Sequence, residues 1–580
     1  MATARSDFAI VAQSLSPSTR HRALLSILLM LAGGASELVS IGAVVPFIAM
    51  IAGAPIPHQL VPMVTLLPAS GPDRLPLLVL LFVAAVVAAA AIRLWLQSAT
   101  QHVVLDAGHE LTVEIQRLTL HQPYAFHVRQ HSAALIASLE KVQAVTFQLL
   151  LPLAQLVGSV FIALFIVAAL IAIDPRAAAA IGSAIIVAYT VAALLVRGRL
   201  AQASDQLSAA YDERIRLVQD SVGAVRDIIL DSSQPAYLAA FRAVDARFAE
   251  ARARLVIAGT APRFIVEAIA TIAIAAFATY LAGRPGGLVA ALPTLAALAL
   301  GGQRLLPLVH QLLQGWVAIV GNRAVVRDVA DLLRLPDSVE HAAPPEALPF
   351  HDRIEVDRVT FTYDDGPRPA IDGVSLAIPR GAMVALTGRT GSGKTTLADL
   401  IMGLLTPLSG AIRVDGVPID AANCRAWQRN IAHVPQSIFL TDSSIAANIT
   451  LAAPDASVDS GRLVVAIHDA QLTEFIDSLP LGLDTKIGER GIRLSGGQRQ
   501  RLGLARALYK GASLLVIDEG TNALDDETEA AVIATLASLN RKGCTILIIA
   551  HRASTIAGAN RVVCLDEGRL VVNNLREMEG

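Results

Sequence analysis

Apolar positions crowd the first 320 residues of the chain in long windows. Mixed polar and apolar positions fill the remainder. About twenty residues rising about 1.5 Å each cross a hydrocarbon core about 30 Å thick, so a mostly apolar window of that length predicts a spanning helix. Six such windows occur, at 24–53, 76–96, 149–173, 177–196, 260–282 and 287–320. Asp174-Pro175-Arg176 divides the third from the fourth, and Gly283-Arg284-Pro285-Gly286-Gly287 divides the fifth from the sixth. Both runs predict tight helical hairpins. The stretches 100–148 and 197–256 are polar, amphipathic at helical spacing and poor in breakers. Their continuity with the spans predicts helical extensions projecting tens of ångströms into the cytoplasm, with independent helical hairpins as the alternative.

The first window is too long for a signal-peptide core, has no A-x-A-like cleavage site and precedes five more, so it is expected to stay uncleaved. Segment 197–256 carries nine arginines and the N-terminal arm carries Arg5, Arg20 and Arg22, whereas 54–75 has only Arg74. Positive residues stay on the cytoplasmic side, which predicts an integral inner-membrane protein with both termini in the cytoplasm.

After about residue 350 the pattern becomes short β-branched runs separated by Gly, Pro and Asp, then alternating helix and strand, an α/β signature. The segment 335–349, with Pro336, Pro344, Pro345 and Pro349, marks the boundary. The expected organisation is an N-terminal arm over 1–22, a six-helix membrane domain over 23–334, a linker over 335–349 and an α/β P-loop domain over 350–580. Composition agrees: 54% of residues are hydrophobic, 17% charged and the mean hydropathy is +0.55, against about a quarter charged in soluble chains. With 47 Lys+Arg against 49 Asp+Glu, no basic field invites a nucleic acid. Cys424, Cys544 and Cys564 are too few and too late in the chain for a disulfide framework or a cysteine-rich metal site.

The strand-like Met383-Val384-Ala385-Leu386 leads into Gly388-Arg389-Thr390-Gly391-Ser392-Gly393-Lys394-Thr395, a GxxxxGK[ST] run in strand–loop–helix context. Such glycines let backbone N–H groups wrap phosphates, Lys394 reaches the β/γ oxygens of ATP, and Thr395 can ligate Mg²⁺. Further on, the apolar strand Leu514-Leu515-Val516-Ile517 ends in Asp518-Glu519. That arrangement puts Asp518 near the Mg²⁺ shell and Glu519 against a water in line with the γ-phosphate.

Between these lies Leu494-Ser495-Gly496-Gly497-Gln498, followed by the helical RQRLGLARALYK. With this run the chain resembles ATP-binding-cassette half-transporters of the exporter type, in which a six-helix membrane domain precedes the nucleotide-binding domain. The resemblance covers essentially the whole chain. It implies that Tyr363 stacks on adenine and that Thr396 completes the phosphate loop. It implies that Gln436 contacts Mg²⁺ and the lytic water, and that His551 contacts the γ-phosphate. It also implies that Ser495, Gly496, Gly497 and Gln498 complete the ATP site of the opposite subunit, so that two chains are needed; a homodimer is the economical expectation, with pairing to a degenerate partner as the alternative. Asn522-Ala523-Leu524-Asp525 and Gly488-Glu489-Arg490 match two further family runs. Gly520 and Asn522 stand where Ala and Ser are common, which bears on dimer contacts and not on catalysis.

Four ionisable residues fall in or beside the predicted spans: Glu37, Arg93, Arg263 and Arg304. Charges are costly in hydrocarbon and usually face a cavity or a partner. Three converging arginines would suit the diphosphate of a lipid-linked sugar, because a planar guanidinium fork matches phosphate oxygens. The alternative is that Arg93 and Arg263 snorkel while Arg304 pairs with Glu37 as structural glue. ASELVSIGAVVPFIAM and VPQSIFLTDSSIAANI also resemble the subfamily that flips lipid-linked oligosaccharides or exports polysaccharide and glycolipid precursors. The expected activity is therefore ATP-driven, alternating-access transport of such an anionic lipid. Drug or peptide export is the rival cargo, and an ATP-gated channel the rival class.

Overall fold

A computed structural model of the chain describes residues 2–52, 74–129, 132–173, 175–282, 287–337, 345–363, 368–451, 458–488, 491–518 and 526–575. Two compact units result: Met1–Gln122 with Phe126–Ser338, and Val339–Gly580, which also takes in Pro123–Ala125.

The first unit is helical. Its elements are α1 (Ala2–Gln13), α2 (Pro17–Ala52), α3 (Arg74–Leu120), α4 (Tyr124–Arg129), α5 (Ser132–Val145), α6 (Leu151–Ile173), α7 (Pro175–Gly223), α8 (Val225–Leu230), α9 (Gln234–Ala282), α10 (Gly287–Gly321) and α11 (Arg323–Leu333). α3, α7 and α9 each run without a break from a predicted span into the polar stretch beside it, so the stalks are extensions of the spans. Pro175 opens α7, where its missing N–H has no helical acceptor to lose. Among the described residues, Pro17–Val39, Val79–Leu120 and Ser138–Ala172 are long and apolar enough to cross a membrane. The other three predicted spans lie in α7, α9 and α10, many of whose side chains fall outside the described residues.

Lipid-like surroundings supply no hydrophobic drive between helices, so close packing must come from small residues. Gly34 of α2 receives Phe165 of α6, while Gly301 and Gly315 of α10 receive Leu170 and Leu156 of α6. At the base of the unit Val11, Leu111, Val142, Leu149, Val326 and Val329 join α1, α3, α5 and α11 into one core. A π-helical turn, Thr146–Leu150, connects α5 to α6 there. Pro152 has no N–H to offer the Gln148 carbonyl four residues back. Asn322, buried at the break between α10 and α11, replaces it: its Nδ2 donates to Gln148 O at 3.1 Å and to Ala318 O at 2.9 Å.

The second unit has two sheets. β1 (Arg353–Phe361), β2 (Ile371–Pro379), β4 (Ser409–Val414) and β5 (Val417–Pro418) form an antiparallel sheet in the order β2-β1-β4-β5. The larger sheet comprises β3 (Met383–Thr387), β6 (Ile431–Val434), β7 (Leu514–Asp518), β8 (Thr545–Ile549), β9 (Arg561–Asp566) and β10 (Arg569–Leu575), in the order β10-β9-β3-β8-β7-β6. Every pairing in it is parallel except β9 with β10. β3, β7 and β8 are apolar nearly throughout because helices cover both faces of a parallel sheet.

Replacing Asn322 with Leu keeps the branched shape and deletes the donor to Gln148. The expected cost is about 1–3 kcal/mol, one buried carbonyl left unpaired. It should appear as a lower melting temperature of the detergent-solubilised chain, and unchanged melting would mean that Gln148 finds another donor.

Candidate nucleotide site

The strand order assembles this site. Side chains that follow the C-terminal ends of adjacent parallel strands emerge on one edge of the sheet, where open α/β sheets bind ligands. The loop Gly388–Gly393 follows β3, His551 lies two residues past β8, Asp518 ends β7 and Gln436 lies two residues past β6. β8 runs between β3 and β7, with Ile549 opposite Leu386 on one side and Asp518 on the other. Glu519, although next in sequence, lies outside the described residues, as do Glu489, Arg490 and Asn522–Asp525.

The loop geometry suits phosphate. Gly388 has φ +136° and a Cβ there would strike the Leu565 carbonyl. Gly393 has φ +98° and its Cβ would lie 2.5 Å from the Ala370 carbonyl. Only glycine fits either place. Lys394 is buried, and its Nζ donates to the Gly388 and Arg389 carbonyls at 2.9 and 2.8 Å, which arches the loop around the ammonium. The Ser392 hydroxyl is buried without a hydrogen-bond partner, a donor open to a phosphate oxygen. Thr395 Oγ1 donates to Asp518 Oδ2 at 3.3 Å, so a hydroxyl and a carboxylate, the oxygen donors that Mg²⁺ prefers, stand together. The donor set fits the ion.

Tyr363 packs edge-on against Phe361 with centroids 5.0 Å apart and shares a 3.2 Å hydrogen bond with the Thr396 hydroxyl, leaving its ring half exposed. Gln436 and His551 are exposed. Ser495 caps α17 (Gly496–Lys510): its hydroxyl accepts from Gln498 N–H, while Gln498 Oε1 accepts from Ser495 N–H at 2.8 Å. This capping box engages the side chains of both Ser495 and Gln498 with each other. The signature segment is braced from behind by Arg506, which donates to the Asn448 and Phe439 carbonyls.

Two carboxylates here were not singled out in the sequence. Asp399, on α12 (Lys394–Ile401), is buried, and desolvation first and the charge of Asp518 second push its pKa up to about 6. A lone Asp in the apolar run Leu397–Leu405 is the signal that could have found it. Glu529, on α18 (Asp526–Arg541), is buried and accepts from Arg552, Ser554 and Thr555, just beyond His551. Only the fold brings these groups together.

The four ionisable residues of the first unit divide. Glu37 of α2 is buried and pairs with Arg93 of α3 at 2.9 Å and with Arg304 of α10. Arg263 does not join them: it is exposed on α9, 3.9 Å from Glu267 one helical turn on. The expected convergence of three arginines is therefore corrected to two arginines around one carboxylate.

A profile of the family described as the ABC transporter transmembrane region matches residues 39–286, and one described as ABC transporter matches residues 371–522. The chain belongs to the ABC transporters. Among curated relatives of this ABC transporter, the ATP-dependent lipid A-core flippase of Cupriavidus pinatubonensis is 45% identical over 222 residues, which are 38% of each protein. The protein of the same description from Burkholderia pseudomallei is 33% identical over 386 residues, 65% of this chain and 63% of the relative. The matches thus span between about a third and two thirds of the relatives' length. A solved structure of a bacterial Atm1-family ABC exporter with ATP bound superposes with a TM-score of 0.78 at 23% identity, covering 96% of this chain and 95% of that one. That likeness bears out the expected architecture, a helical transmembrane domain followed by an α/β nucleotide-binding domain, and the chain is a multi-pass membrane protein.

The raised pKa of Asp399 has a consequence for stability. A carboxyl that ionises at about 6 when folded and at 3.8 when free binds its proton more tightly in the folded state. Stability falls as pH rises from about 4 to about 6, and the cost is fully present above that window. Asp399→Asn should therefore stabilise the nucleotide-free protein at pH 7.5 by on the order of 2 kcal/mol, with the gain gone near pH 4. Denaturant unfolding across pH checks this, and a gain independent of pH would assign the effect to packing.

Proposed function

We propose that this ABC transporter is one half of an ATP-driven exporter, and that two copies of it carry a lipid-linked oligosaccharide or a related anionic amphipathic lipid across the inner membrane. In this reading residues 23–334 form the membrane domain, residues 350–580 bind nucleotide, and both termini are cytoplasmic. The observation that carries it is the sheet edge on which the phosphate loop, Asp518, Gln436 and His551 follow four adjacent strands, with Thr395 and Asp518 3.3 Å apart.

In this reading the residues take the following roles. Lys394 and the N–H groups of Gly388–Thr395 hold the β/γ-phosphates. Thr395, Asp518 and Gln436 hold Mg²⁺, which when bound offsets the charge of the phosphate oxygens. Glu519 draws the proton from the attacking water, His551 contacts the γ-phosphate and Tyr363 stacks on adenine. Ser495–Gln498 offers the N-terminus of α17, with its positive end, to the nucleotide of the second copy. For the cargo, Arg93 and Arg304 are cations set among apolar helices, and relatives over parts of the chain are described as lipid A-core flippases.

Glu519→Gln should keep nucleotide binding and lose about a hundredfold or more in turnover, since the base is removed and the cradle remains. Lys394→Ala should weaken binding as well. Nucleotide affinity and steady-state hydrolysis measured on both variants in lipid nanodiscs check the pair. Near-normal hydrolysis by Glu519→Gln would remove that residue from the role of base.

A further inference from the structure

Glu37 is only 2% exposed, yet it is held by two guanidiniums on two different helices. One carboxylate would satisfy one arginine, and the second leaves the cluster one unit positive. Unbalanced charge among apolar helices is expensive and calls for a counter-anion. Among the described residues Glu37 is the one carboxylate paired with either Arg93 or Arg304. A structural ion pair would not need the surplus cation.

Exposure shows which side of the cluster is open. The Arg93 side chain is 43% exposed and that of Arg304 21%, so the cationic side is the accessible one and the carboxylate lies behind it. Each arginine meets Glu37 through Nη1, and Arg93 Nε adds a long 3.4 Å contact to the Ala89 carbonyl of its own helix. Each fork thus keeps donors for a second acceptor. The three residues come from α2, α3 and α10, so a ligand spanning both arginines would join α3 to α10 and free the carboxylate of α2.

We propose that Glu37 is an internal stand-in for the cargo's anionic group, holding Arg93 and Arg304 in place until a lipid-borne phosphate or diphosphate displaces it. The proposal rests on the lipid-export reading and adds the chemistry of recognition. Phosphate brings more charge and more acceptor oxygens than a carboxylate, and two planar forks can grip it bidentately. Glu37 also weakens that grip, because cargo must compete with it, and a transporter has to release what it binds. When the phosphate leaves, the carboxylate returns and the arginines are never left facing each other unpaired.

The test uses the full-length protein in phosphatidylcholine nanodiscs. The dopant is phosphatidic acid or its uncharged counterpart diacylglycerol, with inorganic pyrophosphate added in solution as a third arm. Lipid binding is measured without nucleotide, and ATPase stimulation separately. Glu37→Gln should lower the half-saturating fraction of phosphatidic acid about tenfold, the weight of one charge-assisted competitor, and leave diacylglycerol without effect. Glu37→Asp, which retracts the carboxylate by one methylene and keeps the charge, should shift it in the same direction by less, and it serves if Glu37→Gln fails to fold. Arg93→Ala and Arg304→Ala should each raise the half-saturating fraction. A half-point unchanged or raised in both Glu37 variants would overturn the proposal and make Glu37 a structural clip. Displacement of phosphatidic acid by pyrophosphate at equal concentration would overturn the lipid as the source of the anion. If lipid binding shifts as expected while no variant hydrolyses ATP, the export reading fails and the exchange at Glu37 stands.

Discussion

The parallel pairing of β8 with β3 on one side and with β7 on the other sets the spacing of the phosphate loop, His551 and Asp518 on the nucleotide edge. Neighbouring strands lie about 4.8 Å apart, so residues that follow the same ends of three adjacent strands fall within the width of a triphosphate. The phosphate loop, His551 and Asp518 acquire their separations from that pairing and not from their distances along the chain. β8 contributes none of the loop's chemistry. Its run Thr545–Ile549 is fully buried, and its pairing on both edges makes it the spacer. A slip of one residue would turn its side chains to the opposite faces and shift His551 along the edge.

The helical unit meets a different constraint. Where burial of apolar surface offers little, contact must be made by shape, and glycines at Gly34, Gly301 and Gly315 let α2 and α10 close on the bulky side chains of α6. Shape leaves polar backbone to be satisfied wherever a helix is interrupted. Asn322 meets that need at two interruptions together, the π-turn before Pro152 and the break between α10 and α11. The two irregularities sit at one level of the unit because one amide serves both.

Buried charge follows a common rule in both units. Asp399 beside Asp518 is a like-charge pair that burial worsens, and its carboxyl answers by holding its proton to about pH 6. Glu529 solves the same difficulty with Arg552 and two hydroxyls, and so fastens α18 to the segment beyond His551. In the helical unit Glu37 is compensated twice over. Glu529 is matched by the charge around it, whereas Asp399 meets a like charge and Glu37 meets one cation more than it balances.

Local pattern was enough to read the long helices, the phosphate loop and the strand ending in Asp518, because each depends on residues close together in the chain; the predicted turns at Asp174 and at 283–286 lie outside the described residues. Periodicity and the special backbone freedom of Gly388 and Gly393 are properties of short segments. Long-range pairing was not legible. Arg263 and Arg304 read alike in sequence, but α9 leaves the first exposed beside Glu267, while α10 sets the second on Glu37, 267 residues away. Pro123–Ala125 read as part of a stalk, yet it belongs to the compact unit of the soluble half. Asp399 was not singled out in the sequence, because only the fold brings Asp518 of β7 near it. The sequence by itself determined which segments are helix, strand or phosphate loop. The tertiary structure decided which charges meet, because the energy of a charge depends on its neighbours in space and on its distance from water, and neither is a property of a chain segment alone.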